Sequence, residues 1–229
     1  MTRLVMSTAL SVMLLATSPF LLSPAVGGQP VGTTSANQAV TSQAAALLSP
    51  ERPVLRSFGR PIFTSRTFEP ADSGATALTY DETLVPVGSR ATVAAVSSPH
   101  GTATLLVVNG LVPRRHYGAH VHVNRCGEDP ADAGPHVQWR RDPVQPSTDP
   151  DYANPRNEIW LDFTTGRTGT GIATSLVPWP ISERQARSVV IHEHHTSTEP
   201  GHAGTAGARL ACVDVDFAGG IQMSDGSSR

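Results

Sequence analysis

The chain has no lysine; all 17 of its basic residues are arginine. That excludes Schiff-base catalysis and phosphate-loop chemistry, which need an ε-amine. Charged residues make up only 16% of the chain, and the formal net charge of −2 comes with neither a basic domain for nucleic acid nor an acidic tail. Aromatic residues are equally sparse at 5%. Several catalytic motifs are missing as well. There is no G-x-S-x-G nucleophile elbow. Gly166-Arg167-Thr168-Gly169-Thr170-Gly171 has its glycines in the wrong order for a dinucleotide loop. His192-Glu193-His194-His195-Thr196 has threonine where a zinc protease needs its second histidine.

What remains is 229 residues with nine histidines, eight of them between His116 and His202. The length suits one ordinary domain with accessory segments. Arg3, the mostly apolar Leu4 to Ala16 and the small-residue stretch Ser23 to Gly28 have the order of a secretory signal peptide, assigned to residues 1–27. The apolar run is broken by Ser7, Thr8 and Ser11 and is short for a span of about 20 residues, so no membrane span is expected after its removal. Export to the cell envelope or medium is therefore expected. Residues 28–75 read as a flexible N-terminal extension, 76–217 as the folded domain and 218–229 as a polar tail. Inside the extension, Arg52 to Glu69 fits either an extra strand or linker.

From about Thr76 the chain consists of short β-branched runs separated by turn residues. Strands are expected over Arg90 to Ser97, Thr102 to Leu111, Tyr117 to Val123, Glu158 to Thr164, Gly171 to Val177, Arg187 to His192 and Arg209 to Phe217. Gln138 to Arg156, with four prolines and three aspartates, and His194 to Ala208 are long loops. The fold class is all-β, an antiparallel sandwich or barrel with two long functional loops.

In a strand, residues i and i+2 share a face, so His120 and His122 can converge on one metal ion. His136, at the turn Ala133-Gly134-Pro135, and His192, closing Ser188 to Ile191, would complete a nitrogen-only set. Such a set suits copper, zinc or nickel rather than calcium or magnesium. In an exported protein Cys126 and Cys212 would most often form a disulfide, closing roughly 87 residues and worth up to about 4.6 kcal/mol. The alternative is Cys126 as a metal ligand. Arg209, three residues before Cys212, is either a solvated arginine at a strand start or a cation that attracts a small anion to the metal.

Together these blocks resemble the copper/zinc superoxide dismutases. The resemblance rests on Asn109-Gly110-Leu111-Val112-Pro113, Tyr117-Gly118-Ala119-His120-Val121-His122, Ala133-Gly134-Pro135-His136, Ser188-Val189-Val190-Ile191-His192-Glu193 and Ala206-Gly207-Ala208-Arg209-Leu210-Ala211-Cys212. It covers roughly Ala91 to Val215. It implies a Greek-key β-barrel, copper on His120, His122, His136 and His192, a Cys126–Cys212 disulfide, and Arg209 guiding superoxide towards dismutation to oxygen and hydrogen peroxide. One departure stands out: the family's zinc needs two further histidines after the bridging one, and Val137 to Asp162 has none. Asp142, Asp149, Asp151, Glu158 and Asp162 remain there, but acids alone rarely build a zinc site. The zinc site is therefore expected to be absent, leaving the second nitrogen of His136 free for a carboxylate such as Glu158. His194, His195 and His202 read as surface residues or as an auxiliary copper-acquisition patch. The competing functional reading is a non-catalytic copper-binding or structural member of the same fold.

Overall fold

A computed structural model describes residues 61–218. The expected signal peptide, residues 28–60 of the extension and all but the first residue of the tail lie outside them. Among the described residues there are ten strands: β1 (Pro61–Thr67), β2 (Glu69–Pro70), β3 (Ala77–Thr79), β4 (Arg90–Ser98), β5 (Gly101–Asn109), β6 (His116–His122), β7 (Phe163–Thr164), β8 (Gly171–Val177), β9 (Ser188–His192) and β10 (Arg209–Asp214). They form a four-stranded sheet, β1-β4-β5-β8, and a six-stranded sheet, β2-β3-β10-β9-β6-β7. The chain passes between sheets after β1, β3, β5, β7 and β8, the crossing pattern of a Greek key. The two sheets pack as a sandwich and do not close into a barrel through backbone pairing of the described strands.

Alternation explains the strands. In β4 and β5 every second residue is buried, including Ala91, Val93, Ala95, Leu106 and Val108, as an antiparallel sheet with one core face requires. The hairpin joining them turns through Pro99-His100, with Ser98 paired to Gly101. The same periodicity resolves the ambiguous N-terminal stretch. Residues 61–67 are an edge strand in register with β4 from Pro61↔Val96 to Thr67↔Arg90, with Ile62 and Thr64 turned inward. The folded domain therefore starts by Pro61, not Thr76, and the proline sits at the strand's first residue, where a missing N–H is tolerated. Glu158 to Thr164 is a strand only at Phe163–Thr164; upstream it touches the sheet through the isolated bridge His120↔Trp160 and the neighbouring loop through Gln138↔Glu158.

β6 and β9 matter most for the site. Tyr117, Ala119 and Val121 from β6, with Val189 and Ile191 from β9, enter the main core between the sheets. The alternate residues turn to the opposite face. There Val190 and Cys212 pack with Ala133, Tyr80 and Cys126 in a second, smaller apolar cluster. The Cys126–Cys212 disulfide is formed, with S–S 2.11 Å and Cα–Cα 5.6 Å, so Cys126 is not a metal ligand. Among the described residues no helix is long and apolar enough to cross a membrane.

Candidate metal centre

The same outward face of β6 and β9 carries His120, His122 and His192. Gly118↔His192 and His120↔Val190 are cross-strand partners, so His192 and His120 are diagonal neighbours. His136 joins them through the bridge His122↔His136. The structure thus brings together the four histidines that the spacing singles out, with one ligand atom from each lying within 4.8 Å of all the others. Among the described residues this is the one group of three or more potential metal ligands.

Hydrogen bonds fix which nitrogen three of the four rings can offer. The Nδ1–H of His122 donates to the Gly134 carbonyl at 2.9 Å, leaving Nε2 free. The Nδ1–H of His136 donates to Glu158 Oε2 at 2.9 Å, again freeing Nε2. His120 is reversed. Its Nε2 lies 2.7 Å from Thr196 Oγ1, and that hydroxyl is 2.6 Å from Asp162 Oδ1. A carboxylate can only accept, so the hydroxyl proton goes to Asp162 and His120 Nε2–H donates to the hydroxyl. This leaves His120 Nδ1 as a lone pair, and that atom is buried with no hydrogen-bond partner.

Burial, the largest influence, pushes His120 and His122 well below the ordinary imidazole range, and the neighbouring histidines and Arg209 push the same way. His192 falls to about 3, again through burial first and then His136 and Arg209. The three imidazoles are therefore neutral at physiological pH, the form that binds metal. His122 Nε2 and His192 Nε2 face each other at 3.4 Å. A buried lone pair without a partner and two neutral imidazole nitrogens this close are features that a cation would satisfy. The residues fit a metal ion, and the all-nitrogen set suits copper or zinc.

Glu158 is 1% exposed and takes three donors: His136 Nδ1–H, Trp160 Nε1–H at 2.7 Å and Gln138 Nε2–H at 2.7 Å. The other acids flagged by the sequence serve the loops. Asp142 accepts from Val144 N and Ser147 Oγ, and Asp149 caps a turn at Asp151 N. Asp151 contributes its carbonyl to Arg140, and Asp162 holds Thr196.

Arg209 lines a cavity of about 180 Å³ together with His136, His192 and Glu158. Its Nη1 donates to the Pro130 carbonyl and its Nη2 to the Gly134 carbonyl, both at 2.7 Å. Gly134 thus accepts from both Arg209 and His122, joining the cation to a ligand ring. Partial burial lowers the arginine pKa, while Tyr80 and Asp129 act against that.

The loop over this face is seated on Gly118. A Cβ there would press on the His194 carbonyl and come within 2.8 Å of the Ala206 side chain, so glycine is required by the close approach. His194, His195 and His202 do not join the four. His194 is exposed beside Glu193, and His195 lies edge-on to His116 with Nε2 3.0 Å from the Phe163 carbonyl. Gln138, Trp160 and Thr196 bear on the site without any motif that marks them in the sequence, and Asp162 stands there only as one acid among five. Gln138 and Trp160 stand a few residues from the acids Asp142 and Glu158 in a chain with little charge, whereas Thr196 carries no such signal.

No family model and no curated protein matches the chain. Among solved structures, the Cu/Zn superoxide dismutase from Brucella abortus is similar at TM-score 0.45 and 19% identity, over 67% of this chain and 99% of that one. A double mutant of a SOD-like protein from Bacillus subtilis gives TM-score 0.44 and 17% identity, over 69% and 97%. Both are likenesses of overall fold.

Proposed function

We propose that the protein is an exported, copper-dependent superoxide dismutase whose metal site lacks a companion zinc. The observation that carries this reading is the convergence of four histidines, two of which, His136 and His192, line a cavity of about 180 Å³ together with Arg209. Drug-sized ligands need roughly 300–1,000 Å³, so the opening suits a small anion. Copper bound by His120 Nδ1 and by Nε2 of His122, His136 and His192 would supply the one-electron exchange that turns two superoxide anions and two protons into oxygen and hydrogen peroxide.

The protein's own groups divide the remaining tasks. Arg209 places a fixed positive charge in the cavity beside His136 and His192, which raises the local concentration of an anion. Its two carbonyl bonds hold the guanidinium in place, so little reorganisation is needed on anion entry. Glu158 fixes the tautomer of His136 and raises its basicity as a ligand. The same interaction is the basis for proposing that zinc is absent. Nδ1 of His136, the nitrogen a second metal would need, is committed to Glu158, whose oxygens are already shared with Trp160 and Gln138. The disulfide within the domain accords with an oxidising compartment.

The test is to load purified protein with copper and, separately, zinc, quantify metal per chain and measure superoxide consumption. One copper per chain with catalytic turnover is expected. Copper uptake without turnover would leave a non-catalytic copper-binding protein. Two tightly held metals per chain would overturn the zinc-free site.

A further inference from the structure

We infer that Thr196 and Asp162 form a latch that fixes His120 in the tautomer able to bind metal and ties the 193–208 loop to that ligand; this rests on the metal-site reading above. The latch is a chain of short bonds. His120 Nε2–H donates to Thr196 Oγ1 at 2.7 Å, and Thr196 Oγ1–H donates to Asp162 Oδ1 at 2.6 Å. The backbone N–H of Thr196 donates to Asp162 Oδ2 at 2.8 Å, and that of Ala119 to Oδ1 at 3.3 Å. One carboxylate therefore grips the loop at two atoms of one residue and grips β6 next to His120.

A hydroxyl between an imidazole and a carboxylate has only one consistent proton order, because the carboxylate cannot donate. The order propagates to the ring and leaves Nδ1 deprotonated towards the other three histidines. An isolated histidine interconverts between its two neutral tautomers, so the latch selects one. Other ties hold the loop to the domain, including Arg115 Nη2 to the Glu193 carbonyl and His195 Nε2 to the Phe163 carbonyl. Among these side-chain ties, the one from Thr196 reaches a metal-facing ring. Thr196 and Asp162 are thus positioning residues: they act through His120 and on the retention of metal.

Thr196→Val keeps the side-chain shape and removes the hydroxyl, Thr196→Ser restores it, and Asp162→Asn takes away one acceptor. In metal-free full-length protein, long-range ¹H–¹⁵N correlation spectra read the His120 tautomer directly. In copper-loaded protein, transfer to a chelator gives the dissociation rate. Thr196→Val should convert a single Nε2–H tautomer to a mixture and speed copper loss about 10–100-fold. Thr196→Ser should stay within about threefold of the parent, with Asp162→Asn between the two. A residue that merely braced the loop would alter its protection from exchange and leave the tautomer unmoved. An unchanged tautomer with unchanged copper loss in Thr196→Val overturns the latch. A parent protein that holds no copper, yet loses its His120 tautomer in Thr196→Val, would sink the metal function and keep the latch.

Discussion

Replacing Glu158 with glutamine tests how much of the site depends on one buried charge. The carboxylate takes two donors on Oε2, from His136 and Trp160, and one on Oε1, from Gln138. An amide of the same shape can accept on one side only. If its oxygen faces His136 and Trp160, its NH₂ meets the NH₂ of Gln138. Gln138 cannot turn over, because its own Oε1 already accepts from Asp142 N at 2.9 Å and Gln145 Nε2 at 3.1 Å. The Gln138 bond is lost with a buried donor left unpaired, at about 1–3 kcal/mol, and the two remaining charge-assisted bonds become neutral ones, each weaker by about 1 kcal/mol. Relief of the buried carboxylate's desolvation returns part of this. The net expectation is a loss of about 2–3 kcal/mol in the metal-free protein, a large share of a domain stability of about 5–15 kcal/mol. Urea denaturation should register it as a midpoint lowered by roughly 1–1.5 M for a slope of about 2 kcal/mol/M. Weakened orientation of His136 should also reduce copper affinity about 10–100-fold in a chelator competition. An unshifted midpoint together with affinity within threefold of the parent would refute the role of Glu158.

Four further outcomes are expected. His136→Ala should weaken copper binding in the same competition, and unaltered affinity would remove His136 from the ligand set. Arg209→Lys should keep more of the anion steering than Arg209→Ala, seen in the dependence of the rate on ionic strength; equal salt slopes in both variants and the parent would exclude steering. Removing the disulfide as Cys126→Ser/Cys212→Ser, with a sequence separation of 86, should cost up to about 4.6 kcal/mol by denaturant titration, and no loss would mean the bridge constrains nothing. The folded pKa values of His120, His122 and His192 lie below the unfolded value of about 6.5, so the unfolded chain binds more protons. Stability of the metal-free protein should therefore fall as pH drops below about 6.5 and keep falling towards the folded values, with a limiting slope of about 1.4 kcal/mol per pH unit per group. A flat profile between pH 7 and pH 5 would contradict neutral burial of these rings.

His120, His122, His192 and Cys212 were legible because each lies in a strand whose period-2 pattern declares its face, whereas His136 and Cys126 lie in connecting segments where no such pattern applies. His120-Val121-His122 needed nothing more than alternation to put two rings together. The Glu158 cluster and the latch were not legible, since both depend on where the stretch 158–164 lies against β6. That stretch makes only two isolated bridges and a two-residue strand, too little regular pairing for periodicity to reveal. Thr196 illustrates the same limit. In sequence it marks the failure of a protease motif; in space it touches His120. The N-terminal boundary was missed for a different reason. Pro61-Ile62-Phe63-Thr64 alternates correctly, but Arg52 to Glu69 holds two prolines that fit linker as well, and only its partner β4 shows it to be a strand.

The seat at Gly118 has an evolutionary consequence. A mutational scan scored by retention of the folded loop should find Gly118 and Ala206 as intolerant of larger residues as any ligand, although neither has chemistry to offer. The constraint on them is separate from the constraint on the imidazoles. A descendant that no longer needed metal would be free to drift at His120, His122, His136 and His192, yet would still keep the small residues while the loop stays in place. Loss of the histidines with retention of glycine at 118 would therefore mark a lineage that kept the architecture after abandoning the reaction.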